Sequence, residues 1–256
     1  MKSILGAGIA GVFCVMSLAA VGGTASAAEN PTSTPSAYMA WLAGQESENP
    51  GGGAAETLGE FKALSEADQV EFLHIIGDPG HVKDFLEFAS RPVSGASAAG
   101  SGTKVLNGGD VVLETESGGA DGESSAEGTA DASGLQASSG WRDGFGSFGA
   151  IRAGDRSAWY TKTDKVMGVK VSQVRISVLF HKNNTKIDKI YKGEAGHRNF
   201  VPFSEFSNTK PDTWIDARGL AHASTVWTAK LETGSSWTAS EEVWCNKAGG
   251  GGGALV

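Results

Sequence analysis

The chain contains little cysteine, little proline and only one long apolar run. Of its 256 residues, 2 are cysteine and 7 are proline, whereas 37 are glycine. Cys14 falls inside the apolar run, so removal of that run leaves Cys245 alone and excludes an intramolecular disulfide. We expect Cys245 to be a buried thiol, with a disulfide between two chains as the alternative.

The apolar run is typical of a secretion signal. Lys2 precedes the uncharged stretch 4–21, and Ala25-Ser26-Ala27 follows it as a small-residue cleavage site. We therefore predict a secreted, extracellular protein whose signal peptide, residues 1–27, is cleaved after Ala27. An uncleaved anchor is the alternative. No other apolar run approaches this length, so we expect no membrane span in the mature chain.

The rest of the chain changes composition along its length. Its parts are predicted as a helical cluster (34–91), a Gly/Ser/Ala-rich acidic linker (92–140), an all-β domain (141–247) and a flexible Gly-rich tail (248–256). The fold class is therefore α+β, with a small N-terminal helical cluster, a disordered acidic linker and a C-terminal antiparallel β sandwich or small barrel. Within the linker, 110–114 could form one strand that pairs elsewhere.

Capping signals indicate where the first helices begin. Thr34 followed by Pro35 predicts the start of a helix, and Gly44 is expected to end it. Thr57 and Glu60 have the spacing of a capping box for a second helix.

A third helix is predicted from a stripe of apolar residues that lies between a capping residue and a glycine expected to end the helix. Ser65 can cap it, Val70, Leu73 and Ile76 form the stripe, and Gly77 ends it. Asp78-Pro79 then begins a fourth helix. A unit of this size is marginally stable alone, so we expect it to dock on the β domain.

Alternating apolar residues identify two central strands of the β domain, 169–180 and 221–231. Val169 and Val171 lie on the parity opposite to that of the later apolar positions, which predicts a bulge or bend near Ser172. Asn183-Asn184 predicts a turn that leads into a partner strand.

Charge is divided unevenly between the two halves. Residues 28–150 hold 19 acids and 5 bases, a net charge of −14, whereas 151–256 hold 10 acids and 15 bases, a net charge of +5. This asymmetry predicts a basic face that binds an anionic polymer or another cell-surface component; a protein partner is also possible, and we do not expect nucleic acid. The candidate binding residues are Lys182, Lys186, Lys189, Lys192, Arg198 and Trp214.

Two other interpretations of the lysines remain open. They could be ordinary solvated residues that keep strand edges from aggregating, or the acidic linker could lie over them. For Trp214, an anchor packed on the sheet edge is the alternative to a carbohydrate or partner surface.

The sequence contains possible catalytic motifs, but most of them lack the neighbouring elements or residue spacing that their chemistry requires. The glycines of 144–149 match G-x-G-x-x-G but lack the preceding strand and following helix that phosphate binding requires, so a glycine-rich loop is expected. Histidine and cysteine spacing supports no metal site, and we predict no metal and no cofactor. The weak catalytic candidates, for a hydrolase of the β domain, are His197, His222, Asp212 and Asp216.

The signal, the linker and the motifs Leu64-Ser65-x-x-Asp68-Gln69-x-x-Phe72 and Asp78-Pro79 resemble those of uncharacterised secreted proteins from high-GC Gram-positive (actinobacterial) bacteria. That resemblance implies export but no activity and no site residues. The sequence thus favours a non-enzymatic binding or structural module at the cell surface or outside the cell, with a secreted hydrolase that uses a His/carboxylate site as the alternative.

Overall fold

A computed structural model describes residues 30–89, 101–121, 154–247 and 251–254, and it shows an α+β fold. Within these ranges, four helices precede ten strands, and the strands form two antiparallel sheets packed as a sandwich. The helices are α1 (Pro35–Glu48), α2 (Ala54–Lys62), α3 (Glu66–Ile76) and α4 (Pro79–Ala89). The strands are β1 (Ser101–Leu106), β2 (Val111–Asp121), β3 (Asp155–Val166), β4 (Val169–Lys182), β5 (Ile187–Asn199), β6 (Ser204–Asn208), β7 (Asp212–Ile215), β8 (Ala221–Leu231), β9 (Ser236–Cys245) and β10 (Gly251–Ala254).

The helix starts follow their capping signals at α1 and α3. The hydroxyl of Thr34 accepts a hydrogen bond from the N–H of Ala37, and that of Ser65 accepts one from Asp68. Helix α1 nevertheless runs through Gly44, because one glycine weakens a helix without ending it. Leu73 and Ile76 of the expected stripe are buried, together with Phe72 and Ile75, but Val70 is 60% exposed and does not belong to the buried face.

Thr57 and Glu60 do not form a capping box. Helix α2 begins earlier, at Ala54, so Thr57 lies inside it. The Thr57 hydroxyl donates to the carbonyl of Lys170 at 2.9 Å, and Glu60 Oε2 accepts from the Lys170 N–H at 2.8 Å. Both side chains therefore fasten the helices to the first sheet.

The first sheet is a meander in the order β1-β2-β3-β4-β5. Its first two strands lie inside 92–140, so the prediction of a linker is wrong for 101–121, and the strand expected at 110–114 is part of β2. Strand β2 pairs with β3 over its whole length. Val111 and Leu113 are buried in this sheet. Their burial offsets the entropy lost when the strand becomes ordered, although the residues around them are mostly polar or small.

Strand β4 has the predicted irregularity. The β3–β4 register shifts between Asp164 and Lys165, which pair with Ser172 and Lys170, so Val171 is the extra residue of a bulge. The other end of β4 turns at Asn183, whose Oδ1 accepts hydrogen bonds from the N–H groups of Thr185 and Lys186.

The second sheet has the order β10-β9-β8-β6, and β6 and β7 pair with different halves of one edge of β8. Strand β10 lies inside 248–256, so the prediction of a flexible tail is wrong for 251–254. The inward positions of β8 are all buried; they are Ala221, Ala223, Thr225, Trp227, Ala229 and Leu231. On β9, Glu241 occupies an inward position between Ala239 and Val243. Cys245 is buried, as expected, and it forms no disulfide bond within the described residues.

The helices close one end of the sandwich and share its core. Phe85 of α4 stacks on Phe206 of β6 with ring centroids 6.0 Å apart. Tyr38 of α1 donates its hydroxyl hydrogen to the carbonyl of Phe200 at 2.9 Å. The expected docking is therefore confirmed, and the helices and sheets form one hydrophobic core at this end. Among the described residues, none of the helices combines the length and apolar character needed to span a bilayer.

Candidate functional site

The predicted basic residues divide between the two ends of the sandwich. Lys182 is half-buried, and Lys186 and Lys189 are exposed, all around the β4–β5 turn. Lys192 forms an ion pair with Glu194 farther along β5. Arg198 is only 5% exposed and lies at the helical end.

A fourth lysine joins the turn from the other sheet. Lys247 Nζ donates to the carbonyl of Thr185 at 3.2 Å, just beyond the end of β9. We name Lys182, Lys186, Lys189 and Lys247 the basic hairpin. Sequence analysis does not identify Lys247 as a member, because only the packing of the two sheets brings it to the turn.

The carboxylates near the basic hairpin are engaged by protein groups. Asp188 Oδ1 lies 2.6 Å from Nδ1 of His181, and this hydrogen bond is the main cause that holds the pKa of Asp188 below its ordinary value. Asp155 is buried and accepts a hydrogen bond from the hydroxyl of Tyr191. The ammonium group of Lys189 lies 4.7 Å from the ring centroid of Tyr191. The carboxylates beside the turn are therefore held by other protein groups, and the lysines are the charged groups there that lack a carboxylate partner among the ion pairs of the described residues.

Of the predicted catalytic residues, His222 and Asp216 come together. Asp216 Oδ2 lies 3.3 Å from Nε2 of His222, and Glu242 Oε1 lies 2.5 Å from Nδ1 of the same ring. Trp214 stacks on the ring at 4.8 Å between centroids. Nδ1 is thus hydrogen-bonded to a carboxylate, whereas Nε2 faces Asp216 within ion-pair distance without a hydrogen bond.

The carboxylate of Asp216 is held by its own turn. Its Oδ1 accepts from the N–H groups of Arg218 and Leu220, both at 2.9 Å, and its Oδ2 accepts from Arg218 Nε. The Leu220 N–H, followed by Arg218 and His222, lowers the pKa of Asp216 below its ordinary value. This carboxylate therefore stays ionised beside the imidazole.

His197 and Asp212 lie away from this cluster. Asp212 is an exposed residue at the start of β7, opposite Ser224. His197 lies on β5, with its ring edge-on to Trp227 at 6.0 Å. Burial lowers the pKa of His197, so its imidazole is neutral at neutral pH.

Sequence analysis does not identify two buried charged residues that interact, a lysine of β3 and a glutamate of β9. Lys162 of β3 is fully buried, and its Nζ donates to the carbonyl of Ala89 at the end of α4. Glu241 Oε2 accepts a hydrogen bond from Trp227 Nε1 at 2.6 Å. Burial lowers the pKa of Lys162 to about 8 and raises that of Glu241 to about 7. One feature of the sequence could have indicated this interaction: Glu241 is an acidic residue at a position of β9 where the alternation predicts an inward, apolar side chain.

Within the described ranges, no group of three or more His, Cys, Asp or Glu side chains is arranged to hold a metal ion. The glycine motif at 144–149 and Trp141 lie outside the described residues. Comparisons with models of known protein families, with curated proteins and with solved structures give no match.

Proposed function

We propose that the protein is a secreted, non-enzymatic binding module that attaches to an anionic polymer or cell-surface component through the basic hairpin. The observation that supports this best is the convergence of four lysines, contributed by both sheets, on one turn. Clustered exposed cations attract polyanions, and the attraction strengthens with the number of charges that can be engaged at once.

The position of the hairpin suits an attachment role. Helix α2 docks at Lys170, near the start of β4, and Lys182 ends the same strand. At about 3.3 Å per residue, β4 separates the helices from the basic hairpin by about 40 Å. The acidic helical unit is therefore held away from the lysines and does not compete for the same surface.

The His222 cluster favours this function over the hydrolase alternative. A general base needs a ring nitrogen that can reach a substrate or a nucleophile. His222 is only 5% exposed, its Nδ1 is hydrogen-bonded to Glu242, and its Nε2 faces Asp216 at 3.3 Å. The cluster instead joins the turn at Asp216 to β8 and β9 and forms the platform on which Trp214 stacks.

Retention on dextran sulfate beads, with plain dextran beads as the neutral matrix, tests the proposal. The mature chain should be retained by the sulfated matrix only. Raising the salt should release it, because the Debye length falls from about 10 Å at 0.1 M to about 3 Å at 1 M. Changing Lys182, Lys186 and Lys189 together to Glu should abolish retention.

A charge-matched variant separates local from global effects. Lys62, Lys210 and Lys230 are exposed and lie elsewhere on the molecule. Changing these three to Glu alters the net charge equally but should leave most of the retention intact. Equal loss in both triple variants, or retention that salt does not affect, contradicts a binding role for the hairpin.

A further inference from the structure

An apolar cavity of about 190 Å³ lies at the helical end of the molecule, where the α3–α4 connection meets the β5–β6 and β8–β9 connections. Most of its wall is apolar and consists of Ile76, Pro79, Val82, Val201, Phe203 and Leu231. A second cleft beside it, which extends to Trp41 of α1, shares Pro202, Phe203 and Glu232 with the cavity. Phe203 and Glu232 therefore lie where the two spaces meet.

Phe203 adopts a backbone conformation that is unfavourable for its type of residue. Its φ of +61° lies in the left-handed region, which glycine adopts easily and bulky residues rarely adopt. The residue is 39% exposed, so the core gains only part of its apolar area. Strain of this kind occurs preferentially at ligand-binding and other functional sites. A role in the cavity wall explains an aromatic ring at this position better than local preference does.

Hydrogen bonds hold the loop that carries Phe203. Asn199 Oδ1 accepts from the N–H of Val201 at 3.2 Å, and Ser204 Oγ donates to the Val201 carbonyl at 2.7 Å. The carbonyl of Phe203 accepts from the N–H of Glu232 at 3.0 Å, which ties the loop to the β8–β9 turn. The aromatic wall and Glu232 are thus fixed before a ligand arrives, so binding costs little ordering entropy.

The charged residues of the cavity lining are acidic. Asp78 and Glu232 are exposed there, and within the described part of the chain no basic residue lines the cavity or the second cleft. Asp78 Oδ1 accepts from the N–H of Gly80 at 2.8 Å, and a carboxylate can accept further hydrogen bonds. Lys230 lines an adjoining depression, but residues 30–89 hold 10 acids and 2 bases, a net charge of −8. This end of the molecule therefore attracts cations.

We propose that the cavity binds a small aromatic amine in its ammonium form, with the ring inside the apolar wall and the ammonium group at Glu232 and Asp78. An apolar cavity of about 150 Å³ holds one benzene molecule, so the volume of this cavity suits one ring with a short stem. Phe203 offers an aromatic partner to the ring. The three donors of an ammonium group match carboxylate oxygens. This site goes beyond the proposed function, since it takes a small apolar cation whereas the basic hairpin attracts polyanions.

NMR titration of the mature chain with phenethylamine, which is protonated at neutral pH, tests the assignment. Chemical-shift changes should be concentrated at Val82, Val201 and Leu231 of the cavity wall. Phenethyl alcohol keeps the ring and stem without the charge, and it should bind at least about threefold more weakly because the ion pairs are lost. Ethylamine keeps the charge without the ring and should bind more weakly still, because burial of the ring supplies most of the affinity.

Two results of this titration overturn the proposal. Equal affinity for phenethylamine and phenethyl alcohol means that the carboxylates do not recognise the ligand. Absence of shift changes at the cavity wall means that the cavity is not the site.

Glutamate variants test the ion pair. Glu232→Gln should weaken phenethylamine binding at least about threefold and leave phenethyl alcohol binding unchanged, since only a charge interaction is removed. Glu71→Gln makes an equal change of charge at an exposed position of α3 outside the cavity and should affect neither ligand. Equal weakening of both ligands by Glu232→Gln contradicts the ion pair.

Phe203→Gly tests the aromatic wall. It removes the ring and also relieves the strained φ, and it should weaken binding of both phenethyl ligands several-fold. Unchanged affinity in this variant contradicts a role for the ring.

The design remains decisive if Phe203→Gly fails to fold. Thr233 and Ser235 are both exposed in the β8–β9 turn, but only Thr233 lines the cavity. Thr233→Trp should block phenethylamine binding and Ser235→Trp should not, so equal binding by these two variants overturns the site. The basic-hairpin triple variant should bind phenethylamine normally, so failure of the proposed function and failure of this site are distinguishable.

Discussion

Asp164 of β3 and His81 of α4 form a buried contact between the sheets and the helices, with Oδ2 and Nε2 2.8 Å apart. The two side chains are 1% and 6% exposed. Burial by itself lowers the pKa of His81, but the charge and hydrogen bond of Asp164 outweigh it and raise the pKa above 6.5. Helix docking is therefore linked to protonation.

His81→Gln should reduce stability most at low pH. A histidine with a raised pKa in the folded state contributes fully below pH 6.5, and this contribution is lost as the pH rises through the raised value. Below pH 6.5, loss of one partner of the buried pair should cost about 3 to 5 kcal/mol. Urea unfolding of both proteins across pH 5 to 9 measures the difference. His74→Gln, on the exposed side of α3, is the control.

The Lys162–Glu241 pair should make a second contribution to the pH dependence of stability. The raised pKa of Glu241 means that its contribution is present below pH 4.5 and lost as the pH rises through about 7. The lowered pKa of Lys162 means that its contribution is present above pH 10.5 and lost as the pH falls through about 8. Glu241→Gln should therefore remove the loss of stability between pH 4.5 and 7, and the exposed Glu232→Gln should not.

Double substitution tests whether the two buried charges act together. Lys162→Met alone should destabilise the fold, because it removes both the hydrogen bond to the Ala89 carbonyl and the positive charge that interacts with Glu241. Adding Glu241→Gln should recover part of that loss, so the double variant should be more stable than the sum of the singles predicts. Strict additivity in urea unfolding would falsify the coupling.

Trp214 should hold β7 on the second sheet through its stacking on His222. Its neighbour Ile215 serves as the control position, because the exposed fraction of Ile215, 38%, nearly equals the 39% of Trp214. Trp214→Ala should speed hydrogen exchange of the β7–β8 amides by several-fold, since an aromatic pair contributes about 0.5 to 1.5 kcal/mol. Ile215→Ala should change that exchange much less. If both variants speed the exchange equally, stacking of Trp214 on His222 does not hold β7 in place.

A fragment starting at Trp141 should fail to fold. It lacks β2, whose Val111 and Leu113 are buried, and α4, whose Phe85 packs on Phe206. Near-ultraviolet circular dichroism should show no fixed aromatic environment, whereas the mature chain should show one. A folded fragment would mean that the helices and β2 are dispensable to the core.

Much of the fold could be predicted because its signals are local. The caps at Thr34 and Ser65, the turn at Asn183 and the bulge beside Ser172 all depend on neighbouring residues. The errors arose where tertiary contacts override local preference. Thr57, for example, serves a contact with β4 instead of a helix cap.

The candidate sites were less predictable, because they join residues distant in the chain. Trp214, Asp216 and His222 are close in sequence and were all identified, whereas their partner Glu242 was not. Lys247 meets the β4–β5 turn across 62 positions of the chain. Alternation along one strand places a residue on a face, but only sheet packing decides which residues of different strands meet.

Because hydrogen bonds, a buried ion pair and stacked rings join the helical unit to the sandwich, the peptide connection between Ala89 and Ser101 is not what keeps them in place. Two separately expressed polypeptides, one carrying the four helices and the other carrying all ten strands, should assemble spontaneously when mixed. The molecule is thus suited to reconstitution from two pieces, and a break at that connection would leave a stable heterodimer.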